Sequence, residues 1–194
     1  MNTWKIVLAL PLGLGAWAAL GTAATALAKP GAAPPAGTAT APPSALPEEV
    51  QAIHGLIGEW RGSGSAQFGA DKSSTQFQLS CTPASGGFGV QCKTHFSGLP
   101  GGGSFEETDL FGFDPGQRKY HWFSVTNLGE THDHVAQISA TDTLRFVYDG
   151  VQEGKPLQEV ITLRVAKNQR ELEFQSTVTL AGQPVGQLSG RGTK

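Results

Sequence analysis

Short segments in which apolar and polar residues alternate are the feature that most constrains the fold of this sequence. In ELEFQSTVTL (residues 171–180), Leu172 and Phe174 share one face of an extended chain, whereas Glu171 and Glu173 share the other. Because successive side chains of a β-strand point to opposite faces, this period of two predicts strands with one buried face. About ten such segments follow one another within residues 59–191, separated by turn sequences such as DPGQ, YDG and AGQP.

One helical pattern precedes these strands. EEVQAIHGLIG begins with two glutamates, which the helix dipole favours in a first turn, and its apolar residues recur at helical spacing at Val50, Ile53, Leu56 and Ile57. The order predicts an all-β fold, a single antiparallel up-and-down β-barrel of about ten strands preceded by a short N-terminal helix. Closure of the barrel removes exposed strand edges, and a barrel of this size can leave a ligand-sized interior.

Residues 1–28 have the pattern of a secretory signal peptide. Lys5 precedes an apolar run that ends in small residues, and the final ALA predicts cleavage after Ala28. A membrane anchor is the alternative, but Pro11 and several glycines interrupt the apolar run. We therefore predict a periplasmic or secreted protein with no stable membrane span after signal cleavage.

The next segment, residues 29–46, is rich in proline and alanine. It lacks the large apolar side chains whose burial offsets the entropy lost on ordering a chain, so we predict a disordered linker. The β-barrel domain is then predicted to span residues 47–194, a normal size for one domain with its own core.

The two cysteines predict a disulfide. Cys81 and Cys92 are the only cysteines, and export would place them in an oxidising compartment. Alternation puts Cys81 on the apolar face of TQFQLSC and Cys92 on the apolar face of FGVQCKTHF. With these two residues paired in a hairpin, Phe77 lies opposite Phe96, so both inward faces coincide.

The segment GETHDHVAQIS holds the most distinctive polar pattern. His132 and His134 are two residues apart, which puts both imidazoles on one face of a strand, and we predict that this face turns inward. In a hairpin with the preceding strand, the histidines lie beside Ser124 and Trp122 or beside Val125 and Phe123, depending on the loop register. A metal site needs three or four ligands. No third ligand is evident, although Glu107, Asp109 or His121 could serve if the geometry allowed, so we predict no metal cofactor.

These histidines would be the polar anchors of an otherwise aromatic cavity. Small-molecule sites are usually apolar with a few well-placed polar groups. We predict that the barrel interior binds a small apolar or amphipathic molecule through His132, His134, Trp122, Ser124, Tyr148 and Phe146.

Several other functions have little support in the sequence. The formal net charge is −2 with no basic run, so we expect no nucleic-acid partner. No Gly-x-Ser-x-Gly elbow occurs, and Glu106 and Glu107 point to opposite faces of one strand, so we predict no catalytic residues. Two alternatives remain open: an enzyme or metal-dependent protein that uses His132 or His134, and a non-catalytic interaction module of the cell envelope.

The opening of the first strand resembles a known superfamily. GEWRGSG carries Gly58 and Trp60 directly after the helix, which is similar to the Gly-x-Trp opening of calycin-type barrels, the lipocalin superfamily in the broad sense. In that superfamily the tryptophan closes one barrel end, and a basic residue of the last strand packs across it. The resemblance implies a calycin-like barrel in which Arg191 covers Trp60, a structural pair stabilised by a cation–π contact.

A narrower resemblance covers the middle of the chain. A bacterial family of calycin-like barrels without an assigned function has a Gly-Phe-Asp-Pro turn, a Lys-Tyr pair and an aromatic strand, matched here by Gly112, Phe113, Asp114, Pro115, Lys119, Tyr120 and Trp122. Nitrobindins are more distantly similar, through Gly58, Trp60, Gly62 and Gly64. They bind haem through a histidine near the C-terminus, whereas the last histidine here is His134, so the resemblance does not imply haem binding.

Overall fold

The computed structural model describes residues 46–140, 142–166 and 168–194, without the side chains of residues 137–140. The predicted signal peptide (1–28) and nearly all of the predicted linker (29–46) lie outside the described residues. No helix in the described part of the chain is both long and apolar enough to cross a bilayer.

One helix and ten strands make up the fold. Helix α1 spans Glu48–His54, and the strands are β1 Gly58–Phe68, β2 Asp71–Ala84, β3 Gly89–Leu99, β4 Gly103–Asp114, β5 Lys119–Thr126, β6 Thr131–Ala140, β7 Thr143–Gln152, β8 Lys155–Val165, β9 Glu171–Leu180 and β10 Gln183–Thr193. Each strand pairs antiparallel with its sequence neighbours, and β1 pairs with β10 to close the barrel. This architecture confirms the predicted fold class.

The β2–β3 hairpin has the predicted register. Cys81 lies opposite Cys92 and forms a disulfide with it, while Phe77 lies opposite Phe96. All four side chains are buried, because the apolar faces of both strands turn into the barrel. The disulfide fits a protein that folds in an oxidising compartment.

Helix α1 and Trp60 close one end of the barrel. Ile53, Leu56 and Trp60 are buried, and the Trp60 indole Nε1 donates a hydrogen bond to the Leu56 carbonyl at 2.7 Å. The cation over the Trp60 ring is Lys194, whose Nζ lies 4.5 Å from the ring centroid and also donates to the Gly55 carbonyl. The prediction that Arg191 covers Trp60 was wrong.

Arg191 points away from Trp60 because of the alternation of β10. Its neighbours Gly190 and Gly192 are buried on the inward face, so Arg191 faces outward and is 84% exposed. There its guanidinium forms an ion pair with Glu173 on β9. Lys194 follows the last strand and can turn back across the barrel end.

Four phenylalanines fill the interior beside the seam between β1 and β10. We call Phe77, Phe96, Phe105 and Phe174 the aromatic region; their ring centroids lie 5.2–6.3 Å apart. The seam opposite these rings pairs glycine with glycine, Gly62 with Gly192 and Gly64 with Gly190. A Cβ on Gly62 would lie 2.5 Å from the Phe77 ring and 2.1 Å from the Arg191 carbonyl oxygen. The missing side chains therefore make room for the rings.

Candidate functional site

The two histidines of β6 point into the barrel. His134 lies opposite Trp122 and His132 opposite Ser124 on β5, one of the two registers left open by the sequence. Asp133, between them, points outward, where its carboxylate binds His121 Nδ1 at 3.1 Å. His121 is thereby placed on the outer surface and cannot join the interior pair.

Glu159 of β8 meets both histidines. Strand β7 separates β6 from β8, and the Glu159 side chain reaches across it, so that Oε2 lies 3.0 Å from His134 Nε2 and 3.7 Å from His132 Nδ1. The other carboxylate oxygen, Oε1, accepts a 2.7 Å hydrogen bond from the Ser176 hydroxyl on β9. The Glu159 carboxylate is thus held between three partners, two on β6 and one on β9.

Aromatic rings form the walls around this cluster. The Tyr148 ring stacks on His132 with centroids 4.1 Å apart and planes inclined by 16°. Trp122 lies 5.3 Å from His134, and the buried Phe146 packs edge-on against Trp122. A Cβ on Gly150 would lie 2.5–2.7 Å from the Tyr148 ring and hydroxyl, so the glycine leaves the space in which that ring stacks.

Two more carboxylates of β4 face the same interior. Asp109 is buried and accepts hydrogen bonds from Thr94 Oγ1 at 2.8 Å and from Trp122 Nε1 at 2.7 Å. Burial raises the pKa of Asp109 to about 6, although these hydrogen bonds and the nearby His134 act in the opposite direction. Burial, followed by the charges of Asp109 and Glu159, raises the pKa of Glu107 well above its usual range.

Glu159 has the opposite electrostatic balance. Burial by itself would raise its pKa, but hydrogen bonds with His132, His134 and Ser176 outweigh that effect and bring the pKa to about 2. Glu107, Asp109, His132, His134 and Glu159 form what we call the polar region. Within it the carboxyl groups have pKa values that environment drives apart, a pattern that clusters at functional sites.

The members of the polar region differ in how much of their surface solvent can reach. The His132 and Glu159 side chains retain 20% and 18% of their accessible surface, although both point inward, whereas His134 retains 3%. The side chains of His132 and Glu159 therefore keep surface that a molecule entering the barrel could contact. His134 is more deeply buried than either of them.

One buried polar atom of the cluster is not satisfied. His134 Nδ1 has no hydrogen-bond partner among the described residues, although His134 is almost completely buried. An unpaired buried polar atom costs about 1–3 kcal/mol, so the cluster gains if a bound molecule or water reaches this nitrogen.

All six residues predicted to bind a ligand lie in or beside this cluster. His132, His134 and Tyr148 touch one another, Trp122 and Phe146 form the adjoining wall, and Ser124 is buried opposite His132. Their binding of a ligand stays a prediction.

Glu159 was missed by the sequence reasoning, although a signal was present. In KPLQEVITLRV, Glu159 shares its face with Leu157, Ile161 and Leu163, and a charged residue on an apolar strand face indicates a buried polar site. Asp109 shows the same signal, because it alternates with the buried Phe111 on β4.

No protein-family model matches this chain, and no curated protein matches it either. Solved structures do show the same fold. Rv2717c from M. tuberculosis superimposes with a TM-score of 0.57 at 16% sequence identity, over 77% of this chain and 98% of that one. At this identity the likeness concerns the fold alone, a closed antiparallel β-barrel.

Proposed function

We propose that the barrel binds a small amphipathic molecule in its interior. The observation that carries this proposal is the His132–Glu159–His134 cluster, a group of inward-pointing polar side chains of which His132 and Glu159 keep part of their surface accessible to solvent. The polar group of the molecule would meet this cluster, and its apolar part would lie against Tyr148 and Trp122. Aromatic walls with a few convergent polar groups are the usual composition of a small-molecule site.

The charge of the polar region narrows the class of ligand. Three carboxyl groups, Glu107, Asp109 and Glu159, face the interior together with two imidazoles, and Glu159 has the low pKa of a group that is ionised at neutral pH. A ligand carboxylate placed here would meet like charge at low effective dielectric, which is strongly unfavourable. The site therefore favours neutral hydrogen-bond donors or cationic groups.

The location of this activity is also part of the proposal. Pairing of the only two cysteines in a disulfide fits folding outside the cytoplasm, and residues 1–28 carry the sequence pattern of a signal peptide. We infer a periplasmic or secreted protein that meets its ligand there.

An enzyme that uses His134 as an acid–base group is the second candidate. The specific observation is the 3.0 Å contact between His134 Nε2 and the Glu159 carboxylate inside the barrel, because a carboxylate that orients an imidazole is a common catalytic pair. Its test is turnover that His134→Gln abolishes while the thermal unfolding transition is preserved.

Native mass spectrometry of the protein purified from its own host tests the binding proposal. We expect a bound species of small-molecule mass that is lost on denaturation. In parallel, a thermal-shift panel of neutral, cationic and anionic amphiphiles should raise the Tm for the first two groups only, since a ligand that binds the native state stabilises it.

His132→Gln should reduce the ligand shift, and His121→Gln provides the matched control, because His121 contacts a carboxylate on the outer face of the same hairpin. A chain that carries no small molecule and shows no shift with any member of the panel would overturn the proposal. Equal shifts for anionic and cationic amphiphiles would overturn the inferred ligand charge.

A further inference from the structure

We propose that His132 Nδ1, His134 Nε2 and Glu159 Oε2 together bind one first-row divalent transition-metal ion inside the barrel. The inference rests on the proposed function and deepens it. Of the two ligand classes inferred above, only a neutral polar group has a lone pair to offer a metal, so the ion would give a neutral oxygen or nitrogen group of the bound molecule its point of attachment.

The first support is donor geometry. The donor atoms of these three side chains lie within 4.8 Å of one another, and no other group of three His, Cys, Asp or Glu side chains in the described residues is so arranged. An ion with metal–nitrogen and metal–oxygen bonds of about 2.0–2.2 Å separates its ligand atoms by about 3.3 Å in tetrahedral geometry. The observed separations from Glu159 Oε2, 3.0 Å to His134 Nε2 and 3.7 Å to His132 Nδ1, lie on either side of that value. The ligating nitrogens of the two imidazoles lie within 4.8 Å of each other, so the rings would move closer together as the ion binds.

The second support is the way in which neighbouring side chains fix two of the three ligands, Glu159 and His132. Ser176 bonds to Glu159 Oε1 and leaves Oε2 directed at the imidazoles. Stacking on Tyr148 fixes the plane of His132. Such outer contacts orient ligands in metal sites and typically change affinity about 10–100-fold when they are removed. Ser176 and Tyr148 are thus positioning residues for the site.

The donor set selects the type of metal. Two imidazoles and one carboxylate suit zinc, iron(II), cobalt(II) or nickel(II), whereas magnesium and calcium prefer sets made only of oxygen. The carboxyl groups of Glu107 and Asp109 face the same interior, and a bound cation would favour their ionised forms, which burial otherwise disfavours.

Three protein ligands leave coordination positions open. His132 and Glu159 are the partly exposed members of the set, so the open positions would face the solvated interior rather than the core. Catalytic and ligand-binding metal sites keep such positions open, whereas structural zinc sites are usually closed by four protein ligands. The site is therefore suited to bind a molecule through its polar group.

Metal binding to the whole chain provides the test. The protein is purified without a metal-affinity step, stripped with a chelator and titrated with Co²⁺, with visible absorption and calorimetry as readouts. We expect one Co²⁺ per chain, displaced stoichiometrically by Zn²⁺ and unaffected by excess Mg²⁺.

Glu159→Gln and His134→Ala should each weaken Co²⁺ binding at least about 100-fold. His95→Ala and His121→Ala are matched controls, because each of these histidines contacts a carboxylate on the outer surface, Glu106 and Asp133 respectively. The controls should bind Co²⁺ as the wild type does. Circular dichroism identifies any variant that fails to fold. If His134→Ala does not fold, the nearly isosteric Glu159→Gln still provides the test.

Absence of Co²⁺ binding, or undiminished binding by folded Glu159→Gln, would overturn the metal inference. Repeating the amphiphile thermal shifts in EDTA separates the two proposals. Shifts that persist without any metal binding would overturn the metal inference alone. Stoichiometric Co²⁺ binding with no small-molecule shift in either condition would support the metal site and overturn the proposed function.

Discussion

The aromatic region and the polar region occupy the same barrel interior and are built in opposite ways. In the aromatic region the wall strands carry glycine, and the Phe77 and Phe174 rings press directly on the Gly62–Gly192 and Gly64–Gly190 backbones. In the polar region the wall strands carry carboxylates and imidazoles, and part of that surface stays accessible to solvent. Aromatic rings pack against glycine backbone on one side of the barrel, and ionisable groups cluster on the other.

This division separates two tasks. Packed rings against glycine backbones supply hydrophobic stabilisation without any polar group to satisfy. Buried ionisable groups cost stability unless they are fully paired, and the raised pKa values of Asp109 and Glu107 are a measure of that cost. The aromatic region should therefore tolerate little change, while substitutions in the polar region should alter binding and pH dependence more than they weaken the fold.

Gly62→Ala should give the largest effect, a loss of about 3 kcal/mol or more in the free energy of unfolding. The added Cβ would meet the Arg191 carbonyl oxygen and the Phe77 ring, and the backbone oxygen can move only if β1 separates from β10. Urea unfolding followed by tryptophan fluorescence measures the loss. Gly112→Ala is the control, because nothing lies within 4 Å of a Cβ added at that position. Similar urea midpoints for the two variants would contradict the tight packing of the seam between β1 and β10.

Asp109→Asn should alter the pH dependence of stability by about 2–3 kcal/mol. The folded state holds the Asp109 proton up to about pH 6, whereas the unfolded chain releases it near its ordinary pKa of 3.8. The wild type therefore loses stability as pH rises from about 4 to 7, and Asp109→Asn, which has no proton to release, should gain relative to it over that window. Urea midpoints collected in EDTA at each pH measure the difference, and parallel profiles would contradict it.

Gly150→Ala repeats the glycine substitution in the polar region with a different expected result. Here the added Cβ meets the ring and hydroxyl of Tyr148, and a side chain can change rotamer where a backbone oxygen cannot, so the free energy of unfolding should change by less than about 1 kcal/mol. The displaced ring no longer stacks on His132, and Co²⁺ affinity should fall about 10-fold. Tyr148→Phe keeps the stack and should bind normally. A loss of stability as large as that of Gly62→Ala would erase the distinction between the regions.

The smallest effect concerns Trp60, which closes one end of the barrel together with helix α1. A double-mutant cycle between Trp60→Leu and Lys194→Ala should give a coupling of about 0.5 kcal/mol, the contribution of an exposed cation on an aromatic face. The same cycle with Arg191→Ala should be additive, because Arg191 contacts Glu173 instead. Coupling to Arg191 would restore the pairing that the calycin resemblance implies.

Alternation in the sequence was sufficient to predict the barrel. The strand faces follow directly from a period of two, and the disulfide fixed one hairpin register because Cys81 and Cys92 must be opposite each other. The alternation did not predict the β-bulges. The register of β3 against β4 shifts between Ser97 and Leu99, and such local irregularities leave no signal in a period of two.

The candidate site was only half predictable for a related reason. His132 and His134 could be placed on the inward face of β6 from their own strand. Glu159 could be assigned to an inward face, but its meeting with the histidines depends on the alignment of β6, β7 and β8, which is set by two hairpin loops together. Alternation specifies the face of a residue, whereas its height in the barrel depends on every register between it and its partner.

The seam between β1 and β10 also has a consequence for biosynthesis. Strand β1 pairs with β10, and Arg61 lies opposite Thr193. The edge of β1 that faces β10 therefore stays unpaired until β10 has been synthesised. Local hairpins such as β2–β3 can form as they emerge, but closure joins residues more than a hundred positions apart, which is slow for entropic reasons. Until then two open strand edges remain available to other chains, so a stalled or C-terminally shortened product would be prone to intermolecular strand pairing.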